Sequence, residues 1–199
     1  MNNIKRTKFN ICLLGESQVG KTCMTSVFIG QPFDEHSLTT LGLENVVNKT
    51  KIDGQEYTFK IFDTAGQERY KSIAQSTIQI SDGFLIVFDV NLKSTFDRVI
   101  DWINFIDDRV NMGEKVLILV GNKIDKEERQ VSSEEATNFA KNNNMKYFET
   151  SAKTGTGIKE AFNALYQDVY IKCKSMQQKG EDSKKLSGNN SKKNRTSWC

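Results

Sequence analysis

Residues 15–22 read Gly15-Glu16-Ser17-Gln18-Val19-Gly20-Lys21-Thr22, and the apolar run Phe9 to Leu14 stands directly before them. A strand feeding a glycine loop that opens a helix leaves few folds open. Such a loop wraps a polyphosphate with successive backbone N–H groups, its glycines keep side chains off the oxygens, and the helix N-terminus adds positive dipole. Lys21 would bridge the β- and γ-phosphates. The Thr22 hydroxyl would serve Mg²⁺, a hard cation that keeps most of its waters and needs only one or two protein oxygens beside the phosphates. Glu16, Ser17, Gln18, Val19 and Cys23 complete the cradle, so the chain is expected to bind a nucleoside triphosphate.

Short apolar runs alternate with helical periods along the next 160 or so residues, an α/β pattern. Strands are predicted at Phe9 to Leu14, Leu43 to Ile52, Tyr57 to Phe62, Gly83 to Val90, Val116 to Gly121 and Lys146 to Glu149, with Asp53-Gly54 as a hairpin turn. The continuous runs at 84–88 and 116–120 suit parallel strands covered on both faces, which places ligands at strand C-terminal ends. Two apolar stripes, Val99/Ile103/Ile106/Val110 and Ile158/Phe162/Leu165/Val169, predict helices that cover the sheet.

At 199 residues the chain suits one domain. Residues 1–7 form an extension, 8–175 the domain and 176–199 a tail. No apolar stretch approaches the roughly 20 residues of a membrane span, and Met1 to Lys8 lacks the apolar segment of a secretory leader, so a cytoplasmic location is expected. The four cysteines, Cys12, Cys23, Cys173 and Cys199, show no metal or disulfide spacing and read as reduced thiols. Charge is uneven: residues 172–199 carry eight basic against two acidic side chains, whereas the remainder is net acidic. From Met176 the tail has almost nothing apolar before Trp198, so it is expected to be disordered. Its basic character serves solubility or attraction to an anionic membrane. Nucleic acid is disfavoured as a partner, because no aromatic residues are interleaved with the basic ones.

Three further motifs fall just past strand ends. Asp63-Thr64-Ala65-Gly66-Gln67 places a carboxylate near the metal, a glycine N–H able to meet a γ-phosphate, and an amide able to orient an attacking water. Asn122-Lys123-Ile124-Asp125 offers a carboxylate that can accept from both N1–H and the exocyclic amine of guanine, a donor pair adenine lacks on that edge. The Lys123 stem can lie along the base plane. In Ser151-Ala152-Lys153 the Ala152 N–H can meet guanine O6. The base is therefore expected to be guanine.

With these four motifs in this order, the chain resembles the small Ras-like GTPases over about residues 8–172, and Asp63 to Tyr70 looks most like the Rab branch. The resemblance implies a three-layer α/β P-loop fold: a six-stranded, mostly parallel sheet flanked by five helices. It further implies a GTP/GDP switch with Mg²⁺ and two segments that tighten around the γ-phosphate. By position, Thr40 matches the switch threonine that ligates Mg²⁺ beside Thr22 and Asp63. Phe33 falls where the family sets an aromatic against guanine, or else serves as a core anchor. Gln67, Lys21, Thr40 and Gly66 would carry hydrolysis. No motif positions an arginine, so a GTPase-activating protein is implied, together with an exchange factor, an escort protein or GDP dissociation inhibitor, and effectors binding a monomer. The role implied is vesicle and membrane trafficking on the cytoplasmic face of an intracellular membrane.

Several positions depart from the Rab pattern. Gln18 replaces a small residue, Ser37 stands where many members have tyrosine, and the three aromatic effector positions are Asn45, Phe62 and Thr77. The end Ser197-Trp198-Cys199 excludes a CaaX box, leaving a single geranylgeranyl group on Cys199, or an unmodified thiol. One lipid anchors modestly, so the basic tail would be its second signal. A GTP-bound recognition module with negligible turnover, a non-Rab signalling GTPase and a metabolic P-loop ATPase or kinase are the competing classes. The guanine motifs speak against the last.

Overall fold

The computed structural model describes residues 6–34, 43–64 and 71–190, without the side chains at 43–44, 64, 71–74 and 180–190. Its elements are β1 (Lys8–Leu14), α1 (Lys21–Phe28), β2 (Leu43–Ile52), β3 (Gln55–Thr64), α2 (Lys71–Ile80), β4 (Gly83–Asp89), α3 (Lys93–Asp97), α4 (Val99–Asp107), β5 (Val116–Asn122), α5 (Ser133–Asn142), β6 (Lys146–Glu149) and α6 (Ile158–Asn190). Only Arg98 separates α3 from α4, so the two act as one interrupted helix and the layers hold the five helical units expected.

The six strands run in the order β2-β3-β1-β4-β5-β6. β1 pairs in parallel with β3 and with β4, and β4, β5 and β6 continue in parallel. Only β2 is antiparallel, joined to β3 through Asp53 and Gly54, whose φ values of 50° and 80° are those of a primed hairpin turn. The chain leaves β1 toward one side of the sheet and returns through β4 on the other. This topological switch point opens a crevice at the C-terminal ends of β1 and β4.

Strand alternation divides the core. Phe9, Ile11 and Leu13 of β1, Tyr57, Phe59 and Ile61 of β3, and Leu85 and Val87 of β4 pack toward the face closed by α1 and α6. There Phe59 stacks on Tyr166 at 3.7 Å between centroids and Phe28 on Phe162 at 4.1 Å. Cys12, Leu14, Phe84, Ile86, Phe88 and Leu119 face Ile78, Val99, Trp102, Ile106, Ala136 and Ala140 of α2, α4 and α5.

The strands stand where the apolar runs place them, but β3 extends two residues further at each end because its antiparallel register with β2 runs from Leu43↔Thr64 to Ile52↔Gln55. The buried stripe of α4 is Val99, Trp102 and Ile106, and Val110 lies beyond the helix end. The stripe Ile158, Phe162, Leu165 and Val169 is buried as expected. α6 then continues past Met176 to Asn190, where the composition predicts disorder. A helix already nucleated by packing propagates at little cost through Met176, Gln177, Gln178 and Lys179, good helix formers that need no apolar partner. Beyond them Gly180, Gly188 and the Asp, Ser and Asn residues are poor helix formers, and nothing in the sequence accounts for the helix there. Among the described residues no helix is long and apolar enough to cross a membrane.

Candidate nucleotide-binding site

The phosphate loop is shaped by what surrounds it. Gly15 has φ 138°, and a Cβ there would stand 2.1 Å from the Val87 carbonyl oxygen of β4. Gly20, with φ 100°, would place a Cβ 2.4 Å from Asn122 Nδ2. Only glycine fits either place. Val19 between them is fully buried and pins the loop to the core. Gln18 adopts φ 64° without being glycine, and its side chain is exposed at the loop's outer surface.

Lys21 spans the loop from inside, donating from Nζ to the carbonyls of Gly15 (2.9 Å) and Glu16 (2.8 Å). Burial pulls its pKa down to about 8, opposed by the negative charges of Asp63 and Glu16. Glu16 Oε1 in turn accepts from Trp102 Nε1 of α4 at 3.2 Å. At the start of α1 the Thr22 hydroxyl donates to Asp63 Oδ2 at 2.5 Å, bringing together a hydroxyl from the helix N-terminus and a buried carboxylate from the end of β3. Two hard oxygens beside a lysine and a phosphate loop form a donor set suited to Mg²⁺.

Three loops meet at Asn122, a fully buried side chain at the end of β5. Its Nδ2 donates to the Val19 carbonyl at 2.8 Å, while its Oδ1 accepts from Thr150 Oγ1 at 3.1 Å and from the Ala152 N–H at 3.3 Å. The Ala152 N–H anticipated for guanine O6 is thus turned toward Asn122. Asp125 accepts from Ser151 Oγ at 2.6 Å, tying the two guanine motifs to each other. Lys123 has φ 68° and its Nζ lies 2.8 Å from Asp89 Oδ2. Lys153 is exposed. Phe33 is half-buried and packs against the α1/α6 core, and Cys23 Sγ approaches the Asp34 carbonyl at 3.9 Å.

The structure therefore brings Gly15 to Cys23, Asp63, Asn122 to Asp125 and Ser151 to Lys153 to the C-terminal edge of the sheet. Thr40, Gly66, Gln67, Ser37 and Cys199 lie outside the described residues. Sequence reasoning missed Asp89, Asn91, Trp102 and Thr150. A signal existed for the first two: Asp89-Val90-Asn91 stands at the end of a buried strand, as every motif of the site does.

The Ras family profile matches residues 10–171. The chain belongs to the Ras family. It is a small GTPase, of a family that binds guanine nucleotide, generally with Mg²⁺, and has GTPase activity. Within that family it is most similar to Rab proteins. It is 33% identical to Ras-related protein Rab-13 of Canis lupus familiaris over 165 residues, 82% of this chain and 81% of that one. Identity to Ras-related protein Rab-18-B of Danio rerio is 36% over 163 residues, 82% and 80% of the two chains.

The positions expected to hold the Rab effector aromatics do not display one. Asn45 is exposed, whereas Thr77 is buried. Phe62 is only 4% exposed, with Lys60 Nζ 4.8 Å from its ring centroid. What β2 presents instead is Val47, 58% exposed, between Asn45 and Lys49.

Proposed function

We propose that this small GTPase is a Rab-type switch in membrane trafficking, holding effectors while GTP is bound and releasing them after hydrolysis. The observation that carries the reading is the Asn122 junction. One buried amide ties the phosphate loop to both guanine motifs, so phosphate and base are gripped by a single connected unit.

Lys21 would neutralise charge on the β- and γ-phosphates, released by them from its two loop carbonyls. The backbone N–H groups of Glu16 to Cys23 would line the polyphosphate. Asp125 would read the guanine edge, with Ser151 holding its carboxylate in place and Lys123 and Phe33 flanking the base. Thr22, Thr40 and Asp63 would hold Mg²⁺, which when bound supplies electrostatic stabilisation of the phosphate oxygens. Gln67 would orient the attacking water, and Gly66 and Thr40 would lose their contacts once the γ-phosphate leaves. Turnover without a partner is slow, because no arginine of this chain is assigned to the transition state. An activating protein supplying one would accelerate it by roughly 10³ to 10⁵.

An exchange factor and an escort protein or GDP dissociation inhibitor complete the cycle of a monomeric, cytoplasmic protein. A geranylgeranyl group on Cys199 with the basic tail would bring it to the cytoplasmic face of an intracellular membrane. Burial of Phe62 and Thr77 supports an effector set distinct from that of Rabs with three displayed aromatics. A second reading, a GTP-bound module with negligible turnover, is favoured by one observation: the left-handed Gln18 in the phosphate loop.

Single-turnover phosphate release from protein loaded with GTP and Mg²⁺ separates them. Slow release in the wild type, abolished in Gln67→Leu, supports the switch. Tightly held GTP with no release in either protein establishes the module.

A further inference from the structure

Lys123 occupies an uncommon position twice over. Its backbone is left-handed at φ 68°, and its ammonium, which would ordinarily extend into water, is turned back onto the end of the neighbouring strand. Asp89 Oδ2 lies 2.8 Å from Nζ, and the carboxylate is largely buried. The strand register makes this possible: Asp89, the last residue of β4, pairs with Asn122, the last of β5, so Lys123 begins its loop directly beside it.

The arrangement has two struts. Asn91 donates to Asp89 Oδ1 through both its backbone N–H (2.9 Å) and its Nδ2 (3.0 Å), which fixes the carboxylate's orientation. The same Nδ2 donates to the Lys123 carbonyl at 2.9 Å, which holds the left-handed backbone. Thr95 Oγ1 lies 3.0 Å from the Asp89 N–H, accepting from it, and so anchors the strand end to α3. Burial raises the Asp89 pKa, but Lys123 and Asn91 outweigh it and hold the carboxyl below its ordinary value. The group therefore stays ionised.

A lysine side chain left free loses rotamer entropy when it is ordered. With both ends of the Lys123 stem already held, that ordering is complete before any ligand arrives, and the methylene chain between them forms a fixed apolar edge. We propose that Asp89 and Asn91 are positioning residues for nucleotide binding: they hold Lys123 so that its stem is pre-set against the face of the base. The proposal rests on the reading of Asn122 to Asp125 as the guanine-binding loop. Because it acts on the base plane, it predicts no discrimination among purines that share that plane.

The test is a double-mutant cycle on full-chain protein loaded with Mg²⁺ and a fluorescent GDP, read as the nucleotide release rate. Asp89→Asn keeps an acceptor for the Asn91 N–H and removes only the charge facing Lys123. Release is expected to accelerate about tenfold, the scale of one charge-assisted contact. Inosine diphosphate, which lacks the exocyclic amine, is expected to be released faster by the same factor. In a Lys123→Met background, Asp89→Asn is expected to change nothing. An unchanged rate in Asp89→Asn, or an equal acceleration in both backgrounds, overturns the proposal. An effect confined to GDP likewise overturns it and transfers the role to Asp125. If Asp89→Asn does not fold, Asn91→Ala, which removes the Nδ2 bonds to Asp89 and to the Lys123 carbonyl, is expected to accelerate release of GDP and of inosine diphosphate by the same factor, and an unchanged rate or an effect confined to GDP overturns the proposal. Competition of GDP against ADP on the wild type tests the guanine reading separately: loss of guanine preference sinks that reading, whatever the cycle shows.

Discussion

Asn122→Ala tests whether phosphate loop and base loop are one unit. The substitution removes three hydrogen bonds, to the Val19 carbonyl at 2.8 Å, from Thr150 Oγ1 at 3.1 Å and from the Ala152 N–H at 3.3 Å. Thr150 and Val19 are fully buried, and Ala152 nearly so, hence the abandoned groups do not gain bulk water in exchange. At about 1 kcal/mol net per bond the loss is about 3 kcal/mol, and unmet buried groups push it higher rather than lower. Urea unfolding of nucleotide-free protein is the assay, because bound ligand would mask part of the change through mass action. The midpoint should fall while the slope stays constant.

A loss below about 1 kcal/mol would refute the junction as a stabilising element. The second arm is geometric. A Cβ on Gly20 would stand 2.4 Å from Asn122 Nδ2, so Gly20→Ala must displace the same amide, besides bearing backbone strain at φ 100°. Its cost should be smaller in the Asn122→Ala background, where that clash is absent. Full additivity would mean that the amide is not what the glycine makes room for.

Three other perturbations follow from the geometry. Gln18→Gly relieves a left-handed backbone at φ 64° and should raise stability by about 1 kcal/mol, read as a higher melting temperature at fixed nucleotide. Phe162→Ala removes a ring stacked on Phe28 at 4.1 Å and fully buried among α1 and α6; a loss of about 3 to 5 kcal/mol in urea unfolding is expected. Burial raises the Glu149 pKa, but Arg129 at 2.8 Å, with Ser133 and Tyr147, outweighs it and holds the value below 4.5. The unfolded chain therefore binds the proton first as pH falls, and the pair's contribution, complete above about pH 4.5, disappears as pH drops through the lowered folded value. The stability gap between wild type and Arg129→Ala should accordingly close on acidification; a gap constant with pH would contradict the ion pair.

The parts legible in the sequence are those where backbone chemistry dictates residue type. Gly15 and Gly20 can be nothing else because Val87 and Asn122 stand where a Cβ would go, and a motif with such constraints announces itself at any identity level. The α5 start carries an equally local signal: Ser132 accepts from the Glu135 N–H at 3.1 Å, the spacing of a capping box. What the chain does not disclose is contact across strands. Nothing local to Asp89 says that it registers with Asn122, that a lysine one residue on will turn back to it, or that Trp102 will reach Glu16 across the gap from α4. Likewise the burial of Phe62 beneath Lys60 follows from the β3 pleat and not from the residue's position in a motif. Motifs in this fold name the atoms that would meet the nucleotide, whereas the side chains that hold those atoms still come from neighbouring strands and helices. Divergence from the Rab pattern is therefore to be sought in that second set. There a change such as an aromatic turned inward alters what the surface offers a partner while leaving every nucleotide motif intact.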